Sequence, residues 1–212
     1  KETYNLINKI SPLSIPILKV PSIYELAHGT TSISDLRPIS IEELIGRERI
    51  EPLEELFGPS IDSKVIFISG AAGSIGEEIC IQLLNLKPKE LIIFDMSEAS
   101  IYRAFENLKN SNFQNVKLTP ILGCSTNIKL LLNIFNTKKV NIIFHAAAYK
   151  HVPLVELNPV EGIRNNIFST EAICKASQGA KSVEKVILIS SDKAVRPTNI
   201  MGATKRVSEL IF

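Results

Sequence analysis

The stretch Lys64-Val-Ile-Phe-Ile-Ser-Gly70-Ala-Ala-Gly73-Ser-Ile-Gly76-Glu-Glu-Ile79 reads as a buried strand, a glycine-rich turn and the opening of a helix. Val65 to Ile68 form a continuous apolar run rich in β-branched residues, which suits a strand covered on both faces in a parallel sheet. Three glycines follow at three-residue spacing. Gly70 permits a tight turn, Gly73 leaves room for a pyrophosphate at the backbone, and Gly76 lets the helix pack closely on the strand. The phosphate charge then falls on the free amides at the helix start, around Ser74 and Ile75. An ordinary strand-to-helix turn would show the same glycines, so the context decides. A second apolar run, Glu90-Leu-Ile-Ile-Phe-Asp95, ends in an acid 95 − 76 = 19 residues after the last glycine. A carboxylate there accepts both ribose hydroxyls of an adenosine, which makes this a dinucleotide-binding unit.

From Lys64 onward the pattern alternates. Strands are expected at Lys64 to Ser69, Glu90 to Asp95, Asn115 to Leu122, Val140 to Ala146 and Lys185 to Ser191. Helices are expected at Ser74 to Leu86, Ser97 to Asn110, Asn127 to Asn136, Pro159 to Gln178 and from Asn199 to at least Ile211. This order predicts an α/β fold, a Rossmann-type doubly wound parallel sheet with a short N-terminal appendage. Its ligand crevice should open outside the carboxyl ends, near the switch between the first and fourth strands. Residues 1–60 read differently, as an N-terminal segment or the tail of a preceding domain plus a linker, with residues 61–212 as the nucleotide-binding domain, incomplete at its C-terminus. Ile15 to Val20 is a candidate strand, and Ser22-Ile-Tyr-Glu25 and Ser40-Ile-Glu-Glu43 are capping-box starts of two short helices. His28 reads as a surface residue at a helix end.

Composition narrows the function classes. The 24 Lys and Arg against 22 Asp and Glu leave a net charge of +2, and no basic run marks a polyanion-binding surface, so nucleic acid is not an expected partner. Cys80, Cys124 and Cys174 are odd in number and far apart, as reduced thiols in a cytosolic setting would be. No metal site is expected, and no apolar window is long enough to span a bilayer. The start at Lys1 suggests a piece of something longer.

Two segments after strands carry the chemistry. His145-Ala146-Ala147-Ala148-Tyr149-Lys150-His151-Val-Pro153 follows the fourth strand; its small residues let a flat cofactor ring approach, and its polar residues line the crevice beyond. His145 is either a satisfied strand-edge histidine or a cofactor neighbour. Lys150 is either a solvated loop lysine or a ligand for a substrate phosphate or hydroxyl, and His151 and Asn199 are placed with it on the substrate side. The fifth strand ends in Ser190-Ser191-Asp192-Lys193, and Met201 and Lys205, four apart, share one helical face beyond it.

The glycine fingerprint, the segment from His145 to Pro153 and above all Ser191-Asp-Lys-Ala-Val-Arg-Pro-Thr-Asn-Ile-Met-Gly-Ala-Thr-Lys-Arg206 closely resemble the extended short-chain dehydrogenase/reductase family. Within it they resemble the UDP-N-acetylglucosamine 4,6-dehydratases of polysaccharide and glycan biosynthesis. Ser34-Asp-Leu-Arg-Pro38 with Ile41-Glu-Glu-Leu-Ile-Gly-Arg47 is similar to the segment preceding the catalytic domain in the long, membrane-anchored members. The resemblance implies a redox-neutral elimination of water from a UDP-sugar with NAD as cofactor. It implies Lys193 as the base at carbon 5, Asp192 as the acid at the carbon-6 hydroxyl, Ser191 as a hydrogen-bond partner of the oxygen on carbon 4, and Lys205 on the nicotinamide ribose. A lysine base needs its pKa lowered and an aspartic acid donor needs its pKa raised, and burial is the expected means.

Two positions depart from the wider family. Met201 stands where most members have a proton-transferring tyrosine, a substitution shared by the long dehydratases. Gly123-Cys124-Ser-Thr-Asn127 lacks the aspartate that contacts the adenine amine, so a weaker cofactor or a backbone substitute is expected. Asp95 favours NAD, while Arg103 on the next helix leaves NADP open. A homo-oligomer is expected, located in the cytoplasm or, for a longer protein with membrane segments, on the cytoplasmic face of the inner membrane. The alternatives are a sugar-nucleotide epimerase or reductase of the same superfamily, or a non-catalytic NAD-binding fragment.

Overall fold

Five short, largely apolar segments pair in parallel to make one sheet: β1 (Val65–Ser69), β2 (Glu90–Asp95), β3 (Lys117–Leu122), β4 (Ile142–His145) and β5 (Lys185–Leu188). The computed structural model describes residues 18–19, 37–38, 60–110 and 116–212. The strand order is β3-β2-β1-β4-β5, so the chain reverses its direction of travel between β1 and β4. That reversal opens a crevice beyond their carboxyl ends.

Burial follows position. The inner strands β1 and β2 are covered on both faces, and alternate residues divide between two cores as the strand pleat requires. Val65, Phe67, Ile92 and Phe94 face one side, where they meet Leu131, Ile134 and Phe135 of helix α3 (Ile128–Lys138) and Ile173 and Ala176 of α6 (Ser169–Gln178). Ile66, Ile68, Leu91 and Ile93 face the other, against Cys80, Leu83 and Leu84 of α1 (Ser74–Asn85) and Ile101 and Leu108 of α2 (Glu98–Asn110). Phe67 sits at the centre of the first core, 5.2 Å from the Phe94 ring and 5.0 Å and edge-on to Phe135. Pro120 lies in β3, where an edge position tolerates the missing amide.

The connection from β4 to β5 is longer and less regular than its sequence pattern suggests. It runs through α4 (Val152–Leu157), α5 (Pro159–Ile163), a π-helical turn (Arg164–Phe168) and α6. The expected single helix from Pro159 to Gln178 is therefore interrupted. The cause is Asn166, whose buried side chain is drawn into tertiary hydrogen bonds and widens the turn around it. The helix α4 was not expected; Pro153 in its first turn is the local signal. β4 and β5 are shorter than expected because the chain leaves the sheet after His145 and Leu188. A 3₁₀ turn, Asp192–Ala194, then leads to α7 (Ile200–Ile211).

The chain divides into two compact units, Lys1–Pro52 and Leu53–Phe212, with the boundary before the expected residue 60. In the first, Leu18–Lys19 pairs antiparallel with Arg37–Pro38. The two capping-box helices and His28 lie outside the described residues. No helix among the described residues is long and apolar enough to cross a membrane.

Candidate active site

The turn after β1 is built from backbone. Gly70 has φ +69°, and a Cβ there would come 2.5 Å from the Ala147 amide nitrogen. A side chain at Gly76 would run into the Gly70 carbonyl oxygen, so this glycine is what allows α1 to start so close to the strand. Gly73 differs: a Cβ would meet only the Gly70 carbonyl oxygen, at 3.4 Å, and would otherwise project into open space. Gly73 is also the N-cap of α1 and supplies no side-chain cap, so the amides of Ser74, Ile75 and Gly76 are left for an anion. The glycine turn thus fits a dinucleotide's pyrophosphate on two counts, uncapped donors and an open Cβ position.

Asp95 at the end of β2 is fixed by two backbone amides. Its Oδ2 accepts from Ala72 at 3.3 Å and its Oδ1 from Ser97 at 2.9 Å, which ties the carboxylate to the glycine turn. The end of β3 is joined to the same point, because the Gly123 amide donates to the Asp95 carbonyl at 2.9 Å.

A cavity of about 750 Å³ spans the crevice beyond β1, β2 and β4. Of the residues singled out from sequence, Gly70, Gly73, Ser74, Ile75, Gly76, Asp95, Ala146, Ala147, Lys150 and His151 line it. Ser191, Lys193, Met201 and Lys205 line it from the β5 side. Asp192 and Asn199 do not. The Asn199 side chain caps α7, its Oδ1 accepting from the Gly202 amide at 2.8 Å.

Lys205 is buried on α7, donating from Nζ to the Ile189 carbonyl at 2.7 Å. Burial holds its ammonium below the ordinary lysine range, with Glu209 nearby opposing the shift. Met201, one turn earlier, is also buried. Asp192 and Lys193, the expected acid and base, contrast with them. The Asp192 side chain is 87% exposed and that of Lys193 48%, with 3.4 Å between Oδ1 and Nζ. Hydrogen bonds from Ser191 and then Lys193 hold the Asp192 carboxyl below the usual carboxylate range. Burial was expected to raise it. The described residues leave this side chain in solvent, so they supply no such effect.

His145 resolves as a satisfied core histidine. Its Nδ1 lies 2.6 Å from Ser69 Oγ and its Nε2 3.2 Å from Thr170 Oγ1. Burial first, and the Lys205 charge second, push its pKa down to about 3, so the ring is neutral. Lys150 donates to Ser74 Oγ at 2.8 Å, which puts its charge over the first turn of α1 at the phosphate end of the cavity. That location is nearer the cofactor turn than its expected substrate role implies.

Sequence reasoning missed Asn166, because nothing in the helical pattern around it marks it as buried. Its Oδ1 accepts from the Tyr149 amide at 2.7 Å, and its Nδ2 donates to the Tyr149 carbonyl at 3.1 Å and to Thr204 Oγ1 at 2.9 Å. One side chain thereby locks the loop after β4 to the helix that carries Lys205. Among the described residues no group of three His, Cys, Asp or Glu side chains is placed to hold a metal ion.

The parallel sheet, the glycine turn and the acid at the end of β2 define a Rossmann-type nucleotide-binding domain of the short-chain dehydrogenase/reductase kind. The chain belongs to the polysaccharide biosynthesis protein family, whose model matches residues 66–212. It is 36% identical over 209 residues to the capsular polysaccharide biosynthesis protein CapD of Staphylococcus aureus, covering 98% of this chain and 35% of that protein. It is 34% identical to a UDP-N-acetylglucosamine 4,6-dehydratase (inverting) of Campylobacter jejuni, covering 71% of this chain and 43% of that protein. It is 36% identical to a UDP-glucose 4-epimerase of Rickettsia rickettsii, covering 69% and 42%. Among solved structures it superposes on Pen from Bacillus thuringiensis with a TM-score of 0.64 at 33% identity, covering 71% of this chain and 44% of that one. It shares its fold, at TM-score 0.60 and 22% identity, with a UDP-glucose 4-epimerase from Bifidobacterium longum in complex with NAD+ and UDP, covering 70% and 48%. The chain thus spans from about a third to under half the length of these proteins.

Proposed function

We infer that this chain is the NAD-binding part of a nucleotide-sugar 4,6-dehydratase acting on UDP-N-acetylglucosamine or a similar UDP-hexosamine in polysaccharide biosynthesis. The observation that carries the reading is the convergence on one cavity of the glycine turn and Asp95 with Ser191, Lys193, Met201 and Lys205. When bound, NAD supplies a hydride acceptor and donor, so the net reaction consumes no reductant. Asp95 receives the adenosine ribose, and the repulsion of a 2′-phosphate by its carboxylate favours NAD over NADP. Lys205 holds the nicotinamide ribose, and Ser191 hydrogen-bonds the oxygen on carbon 4 of the sugar. Lys193 takes the carbon-5 proton and Asp192 protonates the departing carbon-6 hydroxyl. Both are solvated in the described residues, so the bound sugar and the rest of the protein have to desolvate them before they act.

Met201 has no proton to exchange, which leaves the hydroxyl on carbon 4 to another group, Asp192 or a water. The epimerase reading is favoured by the Rickettsia relative; Asp192 beside Lys193 favours the dehydratase, because simple hydride chemistry requires no such pair. A purely NAD-binding role is the third reading. A homo-oligomer and a place at the cytoplasmic face of a membrane belong to the same proposal.

Mass spectrometry of UDP-N-acetylglucosamine incubated with the full-length protein and catalytic NAD tests the reading. A product lighter by one water, without net NADH, is expected. A product of unchanged mass but altered sugar configuration would select the epimerase. Intact substrate in a sample that binds NAD would leave only the binding role. Lys193→Ala should abolish solvent deuterium incorporation at carbon 5 while leaving NAD binding intact.

A further inference from the structure

Lys205 carries its charge where the fold gives it little help. It is buried, and among the described residues its three N–H donors find one protein acceptor, the Ile189 carbonyl at 2.7 Å. Desolvation favours the neutral amine, yet a lysine that loses its proton has fewer donors and no charge to offer a ligand. An opposite charge close by counteracts this.

The charged and titratable groups around Lys205 differ in sign and commitment. Lys150 and Lys193 line the same cavity, and their like charge works against it. Glu161 lines it too but pairs with Arg164 at 2.8 Å, Asp192 pairs with Lys193, and His145 on β4 is neutral. Glu209 is placed differently. It is half-buried and lies one turn beyond Lys205 on α7, where positions four apart share a face. Its Oε1 accepts from the Oγ of Ser190, the residue after Ile189, and its Oε2 accepts from Arg206 at 3.0 Å. These two contacts, Ser190 first, hold the Glu209 carboxyl below the usual carboxylate range, so it is ionised and anchored to the segment leaving β5. Its charge opposes the effect of burial on Lys205.

We propose that Glu209 is a positioning residue of the cofactor site, acting through Lys205: anchored by Ser190, its carboxylate keeps the buried lysine an ammonium ion towards the nicotinamide ribose. The inference deepens the NAD reading above and rests on it.

The test compares the wild type with Glu209→Gln. The glutamine carbonyl still accepts from Ser190, so the variant removes the charge and keeps the anchor. The carbon-13 signal of the Lys205 ε-carbon is followed through an alkaline titration of protein labelled in its lysines, the signal being assigned by its loss in Lys205→Arg. Calorimetry measures NAD affinity at neutral and at alkaline pH. In Glu209→Gln the Lys205 midpoint should fall by about half a pH unit, and the loss of NAD affinity should be about threefold greater at alkaline than at neutral pH. A substitution that merely loosened the helix would let water reach Lys205 and move the midpoint the other way, towards the ordinary lysine value. An unchanged or raised midpoint overturns the proposal, and so does a lowered midpoint with the same loss of NAD affinity at both pH values. If the wild type binds no NAD, the NAD reading fails, and the Lys205 midpoint, recorded without cofactor, still decides whether Glu209 sets its charge.

Discussion

Lys150 and Ser74, 76 positions apart in sequence, meet across the crevice in a hydrogen bond of 2.8 Å between Nζ and Oγ. The contact brings a cation from the loop after β4 to the helix start where uncapped amides already favour negative charge. It gives this lysine a place at the glycine turn, beside the solvated and substrate-binding roles expected from sequence.

Lys150→Met is expected to weaken NAD binding by about tenfold, the lower end for losing a charge-assisted hydrogen bond, and to flatten its salt dependence. Titrations with NAD at two ionic strengths check this. Unaltered NAD affinity together with a raised KM for the sugar nucleotide would return Lys150 to the substrate.

The glycine turn separates two kinds of damage. Gly76→Ala sets a methyl against the Gly70 carbonyl and should lower stability by roughly 1–3 kcal/mol, as overpacking does. Gly73→Ala meets only one atom, at 3.4 Å, so its unfolding midpoint should match the wild type while NAD binding falls at least tenfold. Equal stability losses in both variants would contradict this division.

Asn166→Ala removes four hydrogen bonds, one of them accepted from Asn165 Nδ2, and leaves the Tyr149 amide and the Thr204 hydroxyl short of a partner. A loss of about 3 kcal/mol in urea denaturation is expected. Asn166→Asp should recover part of it, because a carboxylate still accepts from the Tyr149 amide but donates to neither remaining oxygen. An alanine variant as stable as the wild type would remove Asn166 from its bridging role.

His145 makes stability depend on pH in a defined direction. Its folded pKa, about 3, lies below the ordinary value of 6.5, so only the unfolded chain takes up a proton between those limits. The stabilisation is complete above pH 6.5 and is lost as pH falls towards 3. Relative to neutral pH, about 2 kcal/mol should be gone by pH 5. The facing groups are Ser69, Thr170, Ser169 and the Lys205 cation. Denaturation of the wild type and His145→Gln at pH 7.5 and pH 5 checks this; the same acid sensitivity in the variant would assign it elsewhere.

Much of the fold was legible because local signals and burial agree. The runs Val65 to Ile68 and Leu91 to Phe94 admit no solvent-facing side, so they had to be inner parallel strands, and the glycines with Asp95 then set the cofactor end. The helix from Pro159 to Gln178 was legible only in outline. Nothing within its own residues shows that Asn166 has partners 17 and 38 positions away, and those partners are what turn one helix into three segments.

The division at the site has the same physical root. Residue type and spacing determined by themselves that this chain carries a glycine-rich strand-to-helix turn, an acid at the end of the next strand and a Ser-Asp-Lys segment ahead of a methionine and a lysine one helical turn apart. Which of these side chains is buried, and what each one touches, depends on atoms contributed from distant parts of the chain. Only the tertiary structure therefore decided that His145 is neutral and structural, that Asn199 is a helix cap, and that Asp192 stays solvated and ionised.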